Sequence, residues 1–146
     1  MIRLSTKGRY ATRIMVTLAL RGGDQPARKQ EIAEAENISA DYVEQILMRL
    51  KAAGLVLSHR GARGGFSLAV KPDKLTVYTV LVATEGPLDL VPCAETDCDQ
   101  LTTCVTREVW EAASAAMEKV FKSTTIGELA RNALRHRSAH APSYVI

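Results

Sequence analysis

At 146 residues and 15.9 kDa, with 47% hydrophobic and 24% charged side chains, the chain has the size and composition of one soluble compact domain, or of a small domain with a dimerising extension. Disordered and collagen-like classes are excluded, and with no apolar run of bilayer-spanning length and a polar, basic opening (MIRLSTKGRY) a cytoplasmic protein without a membrane partner is expected. The net charge of +3 conceals an asymmetry: residues 1–71 carry 12 Lys and Arg against 6 Asp and Glu, while residues 72–146 carry 7 against 10, a balance that fits a nucleic-acid-binding first half.

In chain order, Ala11, Ile14, Met15 and Leu18 recur at helical spacing and predict an amphipathic first helix from about Lys7 to Arg21, stopped by Gly22-Gly23. Residues 28–36 predict a short second helix with Ile32 and Ala33 inward, followed by a turn at Asn37-Ile38. Ser39 then caps a third helix from Ala40 to Ala53, ended by Gly54. Two short helices joined by a tight turn are the signature of a helix-turn-helix. Within the third helix Val43, Ile46, Leu47 and Leu50 are spaced to pack inward, which leaves Asp41, Glu44, Gln45, Met48 and Lys51 outward. Ser39, Tyr42 and Gln45 lie near its start, where a recognition helix reaches base edges, and Gln can bond an adenine edge with both its amide atoms.

Two apolar-alternating segments follow, Leu55 to His59 and Phe66 to Ala69, flanking the turn RGARGG. A hairpin after a helix-turn-helix reads as the wing of a winged helix. Glycines let such a tip approach a groove closely, and Arg60 and Arg63 are the side chains favoured in a narrow, electronegative minor groove. No nucleotide-binding glycine motif of either common spacing occurs.

Beyond Pro72, Thr76 to Thr84 predicts a short apolar helix broken by Glu85-Gly86-Pro87. Residues 88–103 read as a loop, and Cys104 as the start of a long helix to about Lys122. That helix carries two stripes: Val105, Val109, Ala112, Ala113, Ala116 and Val120, and beside it Trp110, Met117 and Phe121. Two stripes exceed what packing on one small domain requires, so the helix is suited to self-association. Thr125 and Glu128 form a capping box opening the last helix. The fold class expected is mainly α with a small β-hairpin wing. Its parts are a winged helix-turn-helix over residues 1–84, a cysteine loop over 85–104, a dimerisation helix and C-terminal helix over 105–135, and a mobile tail over 136–146.

All three cysteines, Cys93, Cys98 and Cys104, fall in the loop and at its end, interleaved with Glu95, Asp97 and Asp99. In a reducing compartment so tight a cluster is more often a metal or redox site than a disulfide framework. The neighbouring carboxylates disfavour a free reactive thiolate, whereas a bound cation reverses that preference. A structural zinc site and a metal-free thiol switch remain as alternatives. A small redox enzyme is disfavoured, because there is no Cys-x-x-Cys, no nucleophile elbow and no clustering of His59, His136 and His140 with the carboxylates. A winged helix that binds only protein is disfavoured by the basic first half.

The segments LSTKGRYATRIM, SADYVEQILMRLKAAGLV, SHRGARGGFSLA, the C-x4-C-x5-C cluster and TIGELA occur in that order, and together the chain resembles the IscR, NsrR, RirA and CymR type of bacterial winged-helix regulators, the Rrf-two family, over roughly residues 2–134. The resemblance implies a homodimer binding pseudo-palindromic operator DNA, as repressor or activator. In cysteine-bearing members it implies an iron–sulfur cluster that alters DNA binding in response to iron, cluster supply, nitric oxide or redox state. By similarity Ser39, Tyr42, Glu44 and Gln45 fall on the recognition helix, Arg60 on the wing, and Cys93, Cys98 and Cys104 on the cluster ligands. The pattern departs in three places. The first cysteine spacing is one residue shorter than usual, and Arg107 stands where IscR-type members have His. Gly8 and Arg9 stand where NsrR-like members have an acidic ligand. The fourth ligand is open among Glu108, Glu95, Asp97, Asp99, water and an exogenous thiol, with His59 a remote candidate.

Overall fold

The computed structural model describes residues 4–91, 98–100 and 102–139. Helix α1 spans Thr6–Leu20; Ser5 caps it by accepting the Gly8 amide at 3.2 Å, and Ala11, Ile14, Met15 and Leu18 form its buried stripe. The chain reverses through Gly22 and Gly23, whose φ of 91° and 80° no β-branched residue adopts cheaply. Helix α2 covers Lys29–Glu36, with Glu31 reaching back to accept the Arg28 amide at 2.8 Å. It ends at Asn37, which takes the left-handed conformation (φ 54°) that Asn tolerates better than other side chains. Ser39 accepts the Tyr42 amide at 3.2 Å and opens α3, Ala40–Ala52. Val43, Ile46, Leu47 and Leu50 are buried, while Asp41, Glu44, Gln45, Met48 and Lys51 are exposed, as their spacing requires.

Strands β1 (Val56–His59) and β2 (Gly65–Leu68) pair antiparallel, Val56 opposite Leu68 and His59 opposite Gly65. Ala27, two residues before α2, exchanges two backbone hydrogen bonds with Phe66 (2.9 and 2.8 Å), so the base of the hairpin is stitched to the entry of the helix-turn-helix. Gly65 makes that approach possible: with φ 149°, a Cβ there would lie 2.4 Å from the Ala27 carbonyl oxygen.

A short 3₁₀ turn, Pro72–Lys74, leads to α4, Val77–Glu85, capped by Thr76, which accepts the Thr79 amide at 3.2 Å. Helix α5 spans Arg107–Ser123 and α6 Ile126–Ala139. The long helix thus begins at Arg107 and not at Cys104. Residues 104–106 form a turn whose bond runs from the Arg107 amide to the Cys104 carbonyl (3.3 Å), and the β-branched Val105 and Thr106 disfavour a further helical turn. At the other end, α6 runs through Ala139, into residues expected as tail, because Arg, His and Ala there sustain the helix and Pro142 lies beyond it.

Helix α6 returns to the head. The Val77 amide bonds the Thr124 carbonyl (2.9 Å) and the Ile126 amide bonds the Leu75 carbonyl (2.8 Å), which places Ile126, fully buried, among the side chains of α1–α4. The Glu128 amide donates to Thr125 Oγ1 at 3.1 Å, one of the two bonds of the expected capping box. The core therefore draws on α1–α4, the hairpin and α6. Helix α5 contributes no buried residue, only half-buried Phe121 leaning on it.

Candidate nucleic-acid interface and cysteine segment

The exposed edge of α3 is built from Asp41, Glu44, Gln45, Met48 and Arg49, which line one shallow concavity. Ser39 at its start is exposed. Its oxygen accepts the Tyr42 amide, which leaves the hydroxyl proton to donate outward. Tyr42 is half-buried: its ring stands edge-on to Tyr10 of α1 (centroids 6.1 Å, 85°), and the Arg13 guanidinium lies 5.1 Å from the Tyr10 centroid. Arg13 in turn pairs with buried Glu36 (2.6 Å), which also accepts the Thr17 hydroxyl at 2.5 Å. These contacts fix α1 against the turn between α2 and α3, and so set the angle at which α3 emerges.

Glu44 is not an isolated carboxylate. Lys29 Nζ lies 2.5 Å from Glu44 Oε2, and this hydrogen bond, with the Glu44 and Asp41 charges opposing partial burial, holds Lys29 above the usual lysine range. The pairing offsets a negative charge on a face that would otherwise repel phosphate.

On the wing, Arg60 and Arg63 are both exposed and, among the described residues, neither has an ion-pair partner. The tip is closed by a bond from the Gly64 amide to the Gly61 carbonyl (3.0 Å). His59 bonds Ser67 across the strands (2.7 Å), which occupies one ring nitrogen of the remote ligand candidate. Three residues of this face, Arg28, Lys29 and Arg49, were not singled out by sequence reasoning. Arg49 stands four residues after Gln45, a spacing that could have found it. The roles of Arg28 and Lys29 depend on contacts across elements.

Of the cysteines, Cys98 is exposed and Cys104 half-buried, while Cys93, Glu95 and Asp97 lie outside the described residues. The Thr106 hydroxyl lies 3.3 Å from Cys104 Sγ. That bond, with backbone bonds from Thr106 and Arg107 at the opening of α5, holds the Cys104 thiol below its usual range. Among the described residues, hydroxyl and amide donors meet the Cys104 sulfur, while Glu95 and Asp97, on which the expected disfavouring of a thiolate rests, lie outside the described residues. Cys104 fits a thiolate ligand to a metal cluster, and exposed Cys98 is accessible to one. Among the described residues no group of three His, Cys, Asp or Glu side chains completes such a site. Of the fourth-ligand candidates that are described, Asp99 and Glu108 are exposed. Arg107 pairs with Glu111 at 2.5 Å.

The near end of the cysteine segment is tethered on two sides. Glu85, the last residue of α4, accepts a hydrogen bond from Ser5, the cap of α1, and the Leu90 amide donates to Ser114 Oγ of α5 at 3.3 Å. Along α5 the first apolar stripe is bare: Val109 and Val120 are 58% and 60% exposed, and Ala112, Ala113 and Ala116 are exposed with them. Of the second stripe, Met117 and Phe121 are half-buried, while Trp110 stays exposed.

A family model described as "Rrf2: Iron-dependent Transcriptional regulator" matches residues 4–132. Protein rrf2 of Nitratidesulfovibrio vulgaris is 34% identical over 134 residues, 90% of this chain and 89% of that protein. Among solved structures, CymR (YrzC), the global cysteine regulator of B. subtilis, superposes with a TM-score of 0.77 at 38% identity, covering 90% of this chain and 98% of that one. IscR of T. potens superposes at 0.78 and 32% identity, covering 97% and 93%. No described helix is long and apolar enough to cross a membrane. The chain belongs to the Rrf2 family of winged-helix, DNA-binding transcriptional regulators and is not an enzyme.

Proposed function

We propose that this regulator binds operator DNA as a homodimer and that an iron–sulfur cluster held by Cys93, Cys98 and Cys104 sets its affinity. The observation that carries the reading is the double tether of the cysteine segment, to the α1 cap through Glu85 and to α5 through Ser114. A segment so anchored can transmit a change in its own conformation to the head and to the helix that carries the bare stripe.

The exposed face of α5, Val109, Ala112, Ala113, Ala116 and Val120, pairs with its copy, small side chains allowing close approach. Two α3 edges then address half-sites roughly one helical turn apart, about 34 Å, in a pseudo-palindromic operator. Ser39 donates to phosphate; Tyr42 and Gln45 meet base edges; Glu44 with its Lys29 partner discriminates among them; Arg60 and Arg63 enter the adjacent minor groove. When bound, the cluster supplies a redox- and iron-responsive centre ligated by thiolates. The chain's part is to favour the Cys104 thiolate through Thr106 and to hold the near end of the cysteine segment against both the head and α5. Reciprocity requires that operator DNA alter cluster affinity by the same factor.

The test is an optical spectrum with iron and sulfide analysis on anaerobically purified protein, with each cysteine replaced singly by Ala, followed by DNA binding with and without the cluster. Visible charge-transfer bands with iron and sulfide, lost in all three variants, support the reading; a colourless or zinc-only protein after reconstitution overturns it. Two observations favour a second reading, a metal-free thiol switch: hydroxyl and amide donors shift Cys104 toward its thiolate, and one similar structure is that of CymR, the global cysteine regulator of B. subtilis. In that case DNA binding responds to thiol oxidation in metal-free protein.

A further inference from the structure

Arg28 stands between two elements of the head. Its predecessor Ala27 is bonded to Phe66 of the hairpin and its successor Lys29 begins α2, while its own amide is taken by Glu31. The side chain turns away from α2 and crosses to the wing tip, where Nη2 donates to the Ala62 carbonyl at 2.5 Å. Ala62 lies between Arg60 and Arg63, so the contact fixes the middle of the loop that carries both. The hairpin is thus held at two levels, by backbone at its base through Ala27 and Phe66, and by a guanidinium at its tip. Without the second link a glycine-rich tip held only at its base is free to pivot. A third exposed guanidinium at the tip also adds charge beside Arg60 and Arg63.

We infer that Arg28 is a wing-positioning residue: it locks the tip to the entry of the helix-turn-helix so that Arg60 and Arg63 are presented at a set angle to the α3 edge. The inference rests on the reading that the wing contacts DNA. Binding free energy otherwise spent ordering the loop is then saved in advance.

The experiment measures binding of the full chain to a duplex of about 30 base pairs, long enough for two half-sites a turn apart, selected by the unaltered protein from a random pool. Arg28→Ala and Arg28→Lys are each compared in the unaltered chain and in the Arg60→Ala/Arg63→Ala background, across a salt series. A positioning role predicts that Arg28→Ala weakens binding about tenfold in the unaltered chain but less than about twofold once the wing arginines are gone, since coupled residues are non-additive. Arg28→Lys, which keeps a donor, should fall between. Equal loss in both backgrounds, with the salt slope reduced by about one, would make Arg28 an independent phosphate contact and overturn the inference. No loss on Arg28→Ala also overturns it. If Arg60→Ala/Arg63→Ala itself binds like the unaltered chain, the wing reading fails, an outcome distinct from failure at Arg28. Thermal unfolding of each variant should be unchanged; a shared drop in melting temperature matching the affinity loss would reassign Arg28 to stability.

Discussion

Ile14, Leu18, Ile46, Leu47 and Leu50 of the helix-turn-helix head are at most 1% exposed, whereas α5, at 17 residues the longest described helix, buries none of its own side chains. Both regions are amphipathic by sequence. The head satisfies its apolar faces internally, helices α1–α4 and the hairpin closing on one another with Ile126 of α6 as a keystone. Among the described residues, the apolar stripe of α5 has no such surroundings. A hydrophobic face can be stabilised only against another surface, so the same pattern means core in the first region and, on the function proposed above, association surface in the second.

The comparison can be broken at several points. The largest effect is expected in the head: Leu47→Ala should cost about 2–5 kcal/mol in denaturant unfolding at fixed protein concentration, because the cavity has rigid walls. On α5, Val109→Asp with Val120→Asp should weaken self-association by roughly 100-fold, about 2.7 kcal/mol, in sedimentation equilibrium. The head should keep its helical circular dichroism in that variant; an unaltered dimer would mean that another surface joins the copies. Removing the α3 cap with Ser39→Ala should lower stability by about 1 kcal/mol. DNA affinity should fall further than stability alone explains if the hydroxyl also donates to phosphate. The smallest effect is expected at Asp73→Asn. Its pair with Arg131 (2.6 Å) is exposed on both sides, so the loss should lie between about 0 and 1 kcal/mol and vanish at high salt.

Much of the head is legible in the sequence. The stripes of α1 and α3, the Ser39 cap, the glycine stop after α1 and the hairpin are local patterns, each carried by residues within a few positions of one another. The departures are local too: β-branched Val105 and Thr106 delay α5 to Arg107, and the last helix outruns its expected end. At Cys104 the count of nearby carboxylates along the chain does not show the Thr106 hydroxyl that the sulfur meets, because that contact depends on the turn before α5.

By itself, then, the sequence determined the periodicities, caps and turns, and with them a winged helix-turn-helix followed by a helix with one face too many. It could do so because those features depend on short-range backbone geometry and on which faces must leave water. Only the tertiary structure decided that Lys29 neutralises Glu44, that Arg28 reaches the wing tip, that Glu85 ties the cysteine segment to the α1 cap, and that α6 folds back to bury Ile126. Each of these joins residues from different elements, and which elements meet is set by how the whole chain closes its core.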